Sequence, residues 1–253
     1  IVSEIDECYT DDSGKGKFHY QPPTGYLALC EDNLPTPTIA DPGKHFKTVL
    51  YEGDGSNGRS ISGVGFQPDL IWFKGRNSTA SHVLNDTVRG VTEHLSSDST
   101  GAASTPSYPY LNSVNNDGFS LLGGSSSGGN VDGRDIVAWC WKAGGAAVSN
   151  TDGTITSQVS VNQDVGFSIV SYTGDGNAGA TFGHGLGKTP GFIIVKRRDS
   201  ASQWNVWTSS LTNNQALYLN LTNDVQSGTT FWNDTDPNSS VITLGTDRNV
   251  LNG

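Results

Sequence analysis

The chain has 253 residues, with 25 Asp and Glu against 15 Lys and Arg, a net charge of −10. Only 16% of residues are charged, Gly takes 32 positions and Met none, a composition that excludes a helical bundle or a coiled coil. The acidic balance without a Lys/Arg cluster argues against nucleic acid or an anionic membrane as partner, and the longest apolar run, Ile136 to Trp141, falls far short of the ~20 residues of a membrane helix.

In chain order, residues 1–40 come first and stand apart. They are dense in Pro (Pro22, Pro23, Pro35, Pro37), and about 40 residues cannot bury a core of their own, so they read as the closing strands of a preceding domain. The chain opens on Ile1 without a Met, and Ile1 to Tyr9 has neither the basic start nor the apolar core of a signal peptide; an internal or processed part of a longer polypeptide is expected. Cys8, Cys30 and Cys140 share no metal spacing and read as free, buried thiols, with a Cys8–Cys30 disulfide as the alternative.

From residue 46 on, aromatic and β-branched residues arrive in short runs between turn signals, the pattern of strands. Strands are predicted at Thr48 to Tyr51, Leu70 to Lys74, Phe119 to Leu122, Ile136 to Trp141, Gly166 to Tyr172, Phe192 to Lys196, Trp204 to Trp207, Ala216 to Leu221 and Val241 to Leu244. Segments such as Gly53-Asp54-Gly55, Asn116-Asp117-Gly118 and Gly174-Asp175-Gly176 supply the positive-φ positions of tight turns between them. His82 to Leu95 is the one stretch with a helical aspect, weakened by Gly90 and two Thr.

Two blocks recur. Tyr51-Glu52-Gly53-Asp54-Gly55 returns as Tyr172-Thr173-Gly174-Asp175-Gly176, and Gly63-x-Gly65-x-x-Pro68 with the buried strand behind it returns as Gly185-x-Gly187-x-x-Pro190. The fold class is therefore all-β, with tandem antiparallel β-sandwich modules of jelly-roll-like type: a first repeat over 46–145, a linker over 146–165 with one short strand at Thr154 to Val161, and a second repeat over 166–253. The first repeat ends on the alternating strand Asp135 to Trp141. No counterpart is found in the second, which predicts that the chain continues or that a neighbour lends a strand.

Tyr20-Gln21-Pro22-Pro23-Thr24-Gly25-Tyr26-Leu27-Ala28-Leu29-Cys30 and Asn33-Leu34-Pro35 resemble the closing strands of the SPRY/concanavalin-like sandwich of marine and cyanobacterial bacteriophage structural proteins. The rest of the chain is similar to the repeat domain that trails this sandwich in those proteins. The matching pieces are Gly65 to Lys74 with Arg76, Asp86 to Gly90, Asn116 to Phe119, Val137 to Lys142, Gly183 to Gly187, Leu217 to Leu221 and Phe231 to Asn233. The resemblance implies an extracellular virion-surface component, most often a tail fibre or appendage, without known catalytic residues or cofactors. Its implied partners are further copies of itself and other virion proteins.

Candidate chemistry is thin. Glu4, Asp6 and Glu7 approach the Glu-x-Asp-x-x-Glu of sandwich-type glycosidases, but Tyr9 stands where the third carboxylate belongs. His19, His45, His82, His94 and His184 lack zinc spacing, and His184, between glycines, reads as structural. Asn130-x-Asp132-Gly133-x-Asp135 offers oxygen ligands without the terminal Glu of a calcium loop, so an Asx-type turn is expected, and no metal or cofactor. Trp204, Trp207 and Trp232, with Gln203 and Asn205 beside them, have the make-up of a carbohydrate-binding platform, rings for the sugar face and amides for its hydroxyls. The same spacing suits core or a subunit interface.

These residues lead to an expected non-enzymatic protein of a phage-type particle surface, oligomeric and engaged in host attachment through glycans. A head decoration or filament subunit without a receptor is the alternative, and a glycoside hydrolase-related sandwich a remote one.

Overall fold

The computed structural model describes residues 8–105, 110–123 and 128–247. It divides the chain into two compact units, Ile1–Ala40 and Asp41–Gly253. The first is organised around one carboxylate. Tyr9 and Phe18 form an antiparallel bridge, and Asp11, 4% exposed, accepts from the N–H groups of Ser13, Lys15 and Ala28 and from Asn33 Nδ2. Burial alone would raise its pKa, but these donors outweigh it and hold the carboxyl far below the usual range. Few apolar groups are covered here: Tyr20, Tyr26, Leu27 and Leu29 are all exposed.

The second unit is all-β, a tandem of antiparallel sandwiches, with no α-helix among the described residues. Its strands are β1 (Phe46–Glu52), β2 (Arg59–Ile61), β3 (Leu70–Gly75), β4 (Val83–Asp86), β5 (Leu95–Ser96), β6 (Leu111–Asn115), β7 (Gly118–Leu121), β8 (Asp135–Trp141), β9 (Val148–Asn150), β10 (Ser157–Asn162), β11 (Phe167–Tyr172), β12 (Thr181–Gly183), β13 (Phe192–Lys196), β14 (Trp204–Thr208), β15 (Gln215–Tyr218), β16 (Gln226–Ser227) and β17 (Val241–Thr243). Each of the nine predicted runs holds a strand. Residues 82–95 form β4, a turn and the start of β5, with no helix: Asp86 accepts from the N–H groups of Val88 and Arg89 and closes that turn. Residues 146–165 carry β9 and β10, which pair antiparallel with each other, and β10 pairs onto β11.

In the first repeat a five-stranded sheet, ordered β1-β8-β3-β4-β5, faces a three-stranded sheet, β2-β7-β6. Alternation sorts the residues. Ile71 and Phe73 of β3 and Ile136, Ala138 and Cys140 of β8 point into one core, while Trp72, Trp139 and Trp141 lie on the opposite face. Across the sheet Val49, Ala138 and Phe73 form a row. The small central residues Ala138 and Cys140 leave room for the Phe73 and Phe119 rings, which meet edge to face at 5.6 Å. Burying a ring such as that of Phe119, 0% exposed, stabilises by about 2–3 kcal/mol.

The second repeat reproduces this plan in register. Leu70 opposite Asp86 becomes Phe192 opposite Thr208, Val83 opposite Ser96 becomes Asn205 opposite Tyr218, and the core pair Ile61–Phe119 becomes Phe182–Ile242. Strands β1 to β5 thus recur as β11 to β15, and β7 as β17. The Gly-x-Gly-x-x-Pro motif recurs because both of its glycines hold left-handed backbone in both copies: Gly63 and Gly65 at φ 85° and 84°, Gly185 and Gly187 at 72° and 69°. The first pair curls its N–H groups onto the Asp117 carboxylate, at 3.1 and 2.8 Å, which holds that carboxyl below its ordinary range. In the second, Leu186 N–H donates to His184 Nδ1 and His184 Nε2 reaches the Asn238 carbonyl. With Nδ1 accepting, His184 is neutral, and burial lowers its pKa against the pull of the Asn238 carbonyl.

The correspondence stops at β6 and β8: the sheet equivalent to β2-β7-β6 holds only β12 and β17 among the described residues. In the first repeat β8 lies between β1 and β3, antiparallel to both. In the second repeat β11 belongs to the sheet β11-β10-β9 and β13 to the sheet β13-β14-β15-β16, and no described strand joins them.

Candidate functional site

Of the five residues expected to form a sugar platform, Gln203, Trp204, Asn205 and Trp207 lie on or next to β14 and Trp232 lies in the segment ahead of β17, and the structure turns the three rings inward. Trp204, Trp207 and Trp232 are 4%, 5% and 2% exposed. Trp207 and Trp232 belong to the core of the second repeat, where their indole N–H groups donate to the carbonyls of Thr212 and Gln215. Trp204 points the other way. It packs with Leu84 and Leu95 of the first repeat, against Leu70 and Trp72, and its Nε1 donates to the carbonyls of Ser96 and Ser99, both at 3.1 Å. Asn205 is fully buried, with Nδ2 toward Asp247, and Gln203 accepts from Asn220 Nδ2 at 2.6 Å. The rings offer no surface face for a sugar. Their amphipathic make-up serves a core in which each N–H still needs an acceptor.

The other candidates resolve locally. Asn130 is fully buried and uses both ends of its amide: Nδ2 donates to Asp54 Oδ1 and the Ser56 carbonyl, and Oδ1 accepts from Asp54 N–H. Hydrogen bonds from Ser56 and Asn130 lower the Asp54 carboxyl to about 2. Among the described residues no three His, Cys, Asp or Glu side chains converge as a metal site would require. The Glu4-Asp6-Glu7 cluster lies outside the described residues. Cys8, Cys30 and Cys140 are free thiols, the first exposed and the last buried.

One cavity stands out, a groove of about 690 Å³ between β11 and β13. All of Phe167 to Tyr172 and all of Phe192 to Lys196 line it, and Phe182 and Ile242 form its floor. The first repeat contributes the facing wall: Leu70, Trp72, Trp141, and the Asp86–Arg89 ion pair. Phe167 stacks on Trp141 there, with centroids 6.3 Å apart. Phe192 and Ile194 remain 59% and 36% exposed, a large apolar exposure for the middle of a sheet system.

Charge gathers at one end. Lys196 Nζ donates to the Arg197 carbonyl at 2.6 Å, and burial lowers its pKa to about 8. Arg197 pairs with Asp199, and Arg198 Nη1 reaches the Ser171 hydroxyl at 3.0 Å. The Arg89–Asp86 pair, at 2.5 Å, is buried on both sides, yet Arg89 Nη1 has no hydrogen-bond partner. An apolar trough between two strands that each pair on one side only among the described residues is equipped to hold something extended and apolar. Of the serine hydroxyls that line it, Ser168 donates to the His184 carbonyl and Ser171 accepts from Arg198.

Sequence reasoning singled out the tryptophans and passed over Phe167, Ile169, Phe192 and Ile194. The signal that leads to these four was present: a repeat whose closing strand has no counterpart leaves the strands flanking that place uncovered.

Residues 41–253 match the model of a family described as a domain of unknown function, DUF7483. No curated protein and no solved structure matches the chain.

Proposed function

The chain belongs to the DUF7483 family, and we propose that it is a non-enzymatic structural protein of a bacteriophage particle surface, of tail-fibre or appendage type, that works by assembly. One observation carries this reading: the described polar residues that suggested chemistry are spent on folding, while a cavity of about 690 Å³ is an apolar trough between two sheet edges. The residue-level likeness of both repeats and of residues 20–35 to phage structural proteins supports the same reading. Glycan contact through Trp204, Trp207 and Trp232 is not part of it, since those rings are interior.

Immunogold electron microscopy on particles from the source, with antibody raised against the purified chain, tests the reading. Gold along tail fibres or other appendages is expected. Gold confined to the capsid would shift the assignment to a head decoration protein, and particles without label would remove it.

A further inference from the structure

We propose that the groove between β11 and β13 receives an extended β-strand of the β8 type, antiparallel to both edges, which joins the two half-sheets of the second repeat into one.

The first repeat shows what such a strand does. There β8 forms three core-facing rows with its neighbours: Lys47–Cys140–Ile71, Val49–Ala138–Phe73 and Tyr51–Ile136–Gly75. Carried over by the register match, the flanks of the second repeat become Ser168 and Ile193 in the first of these rows and Val170 and Val195 in the second, with no described strand in the middle place of either. Val170 and Tyr172 pack against the second core as Val49 and Tyr51 pack against the first. The opposite face repeats the pattern. Phe46–Trp141–Leu70 and Thr48–Trp139–Trp72 have as flanking counterparts Phe167 with Phe192 and Ile169 with Ile194. All four of these side chains line the groove.

These rows define the occupant's chemistry. It is a peptide of about seven residues, small and aliphatic on the face toward Phe182 and Ile242, and aromatic or aliphatic on the face toward Leu70, Trp72 and Trp141. Its backbone pairs with β11 and β13, each of which has a strand partner on one side only among the described residues. The Arg198–Ser171 hydrogen bond crosses from the β13 end to β11 and has to give way.

The probe is a fluorescein-labelled peptide with the sequence of Arg134 to Lys142 carrying Cys140→Ala, titrated with the full 253-residue chain and followed by anisotropy. Saturable one-to-one binding, on the order of micromolar, is expected. Ile194→Asp weakens it about tenfold or more by placing a charge against the strand's apolar face. Leu50→Asp, at a site 59% exposed on β1, leaves it unchanged. Hydrogen exchange with peptide bound slows at the amides of β11 and β13; circular dichroism checks that Ile194→Asp is folded.

The proposal is overturned if a scrambled peptide binds equally well, if Ile194→Asp binds as the parent does, or if protection appears elsewhere. It is also overturned if the peptide does not bind and the chain instead forms a dimer that Ile194→Asp dissociates, since the groove would then belong to a second copy. Peptide binding is indifferent to where the protein sits on a particle, so failure here leaves the labelling result standing, and the reverse.

Discussion

The two repeats share register over β1 to β5 and β7, and differ in their turns and in β6 and β8, neither of which has a counterpart among the described residues of the second. In the first, β8 lies between β1 and β3 and buries Ile136, Ala138 and Cys140 against Phe73 and Phe119. In the second, the same two flanking strands stand apart, and apolar residues such as Ile194 stay partly exposed. The flanking strands of the second repeat draw on support from elsewhere. Here β10 backs β11, and the first repeat backs the groove through Trp204 and its cluster.

If the first repeat props up the second, the joint between them is the place to break. Trp204→Ala removes a buried indole and orphans two carbonyls, and is expected to cost about 3–5 kcal/mol. Calorimetry on the variant should resolve two unfolding transitions where the parent shows one. Trp207→Ala, wholly within the second core, should lower stability comparably without splitting the transition. An unsplit transition in Trp204→Ala would mean that the repeats are coupled by other contacts.

The anchor of β8 is next in size. Asp69, 2% exposed, accepts from the N–H groups of Ala143 and Gly145 just past the end of β8. The second repeat has Gly191 at this place, exposed and with no strand end to hold. Asp69→Ala should destabilise by about 3 kcal/mol in denaturant unfolding, through two backbone donors left without their acceptor. Gly191→Asp should change stability by less than about 0.5 kcal/mol. Equal effects at the two positions would show that the aspartate does not serve the strand.

The turns give the smallest contrast, one of pH. Where the first repeat uses Asp117, the second uses His184, whose folded pKa lies below the ordinary 6.5. The unfolded chain therefore takes up this proton first as pH falls, and the stability that His184 contributes, present above about 6.5, declines below it. The Asp117 carboxyl, lowered by its two glycine donors, loses its contribution only below the ordinary 3.8. Thermal midpoints measured between pH 7 and pH 5 should fall, and His184→Gln should flatten that decline, while Asp117→Asn should leave its slope unaltered.

Much of this was legible in the residues. The duplication showed in Tyr51 and Tyr172 and in the paired Gly-x-Gly-x-x-Pro motifs, because glycines with left-handed backbone and prolines at strand starts leave few substitutes. Strand positions came from β-branched and aromatic runs. The lack of a β8 counterpart was legible too, though not its result, a lined groove. What stayed hidden was direction in space. The alternation of Trp204, Asn205, Val206 and Trp207 says that neighbours face opposite sides, but both sides of β14 are covered, so neither ring reaches solvent. The stretch from His82 to Leu95 carried an ambiguous period because its order comes from pairing with β3, a contact made at a distance, and from the local Asp86 turn that ends β4.

Cys140 gives the central strand a built-in clock. Its thiol is fully buried against Ile71, and burial pushes its pKa up to about 12, so at neutral pH it carries almost no thiolate. An alkylating reagent that consumes the exposed Cys8 at once must wait at Cys140 for β8 to leave its sheet. The rate at which the third thiol disappears therefore times the opening of the one sandwich that is closed.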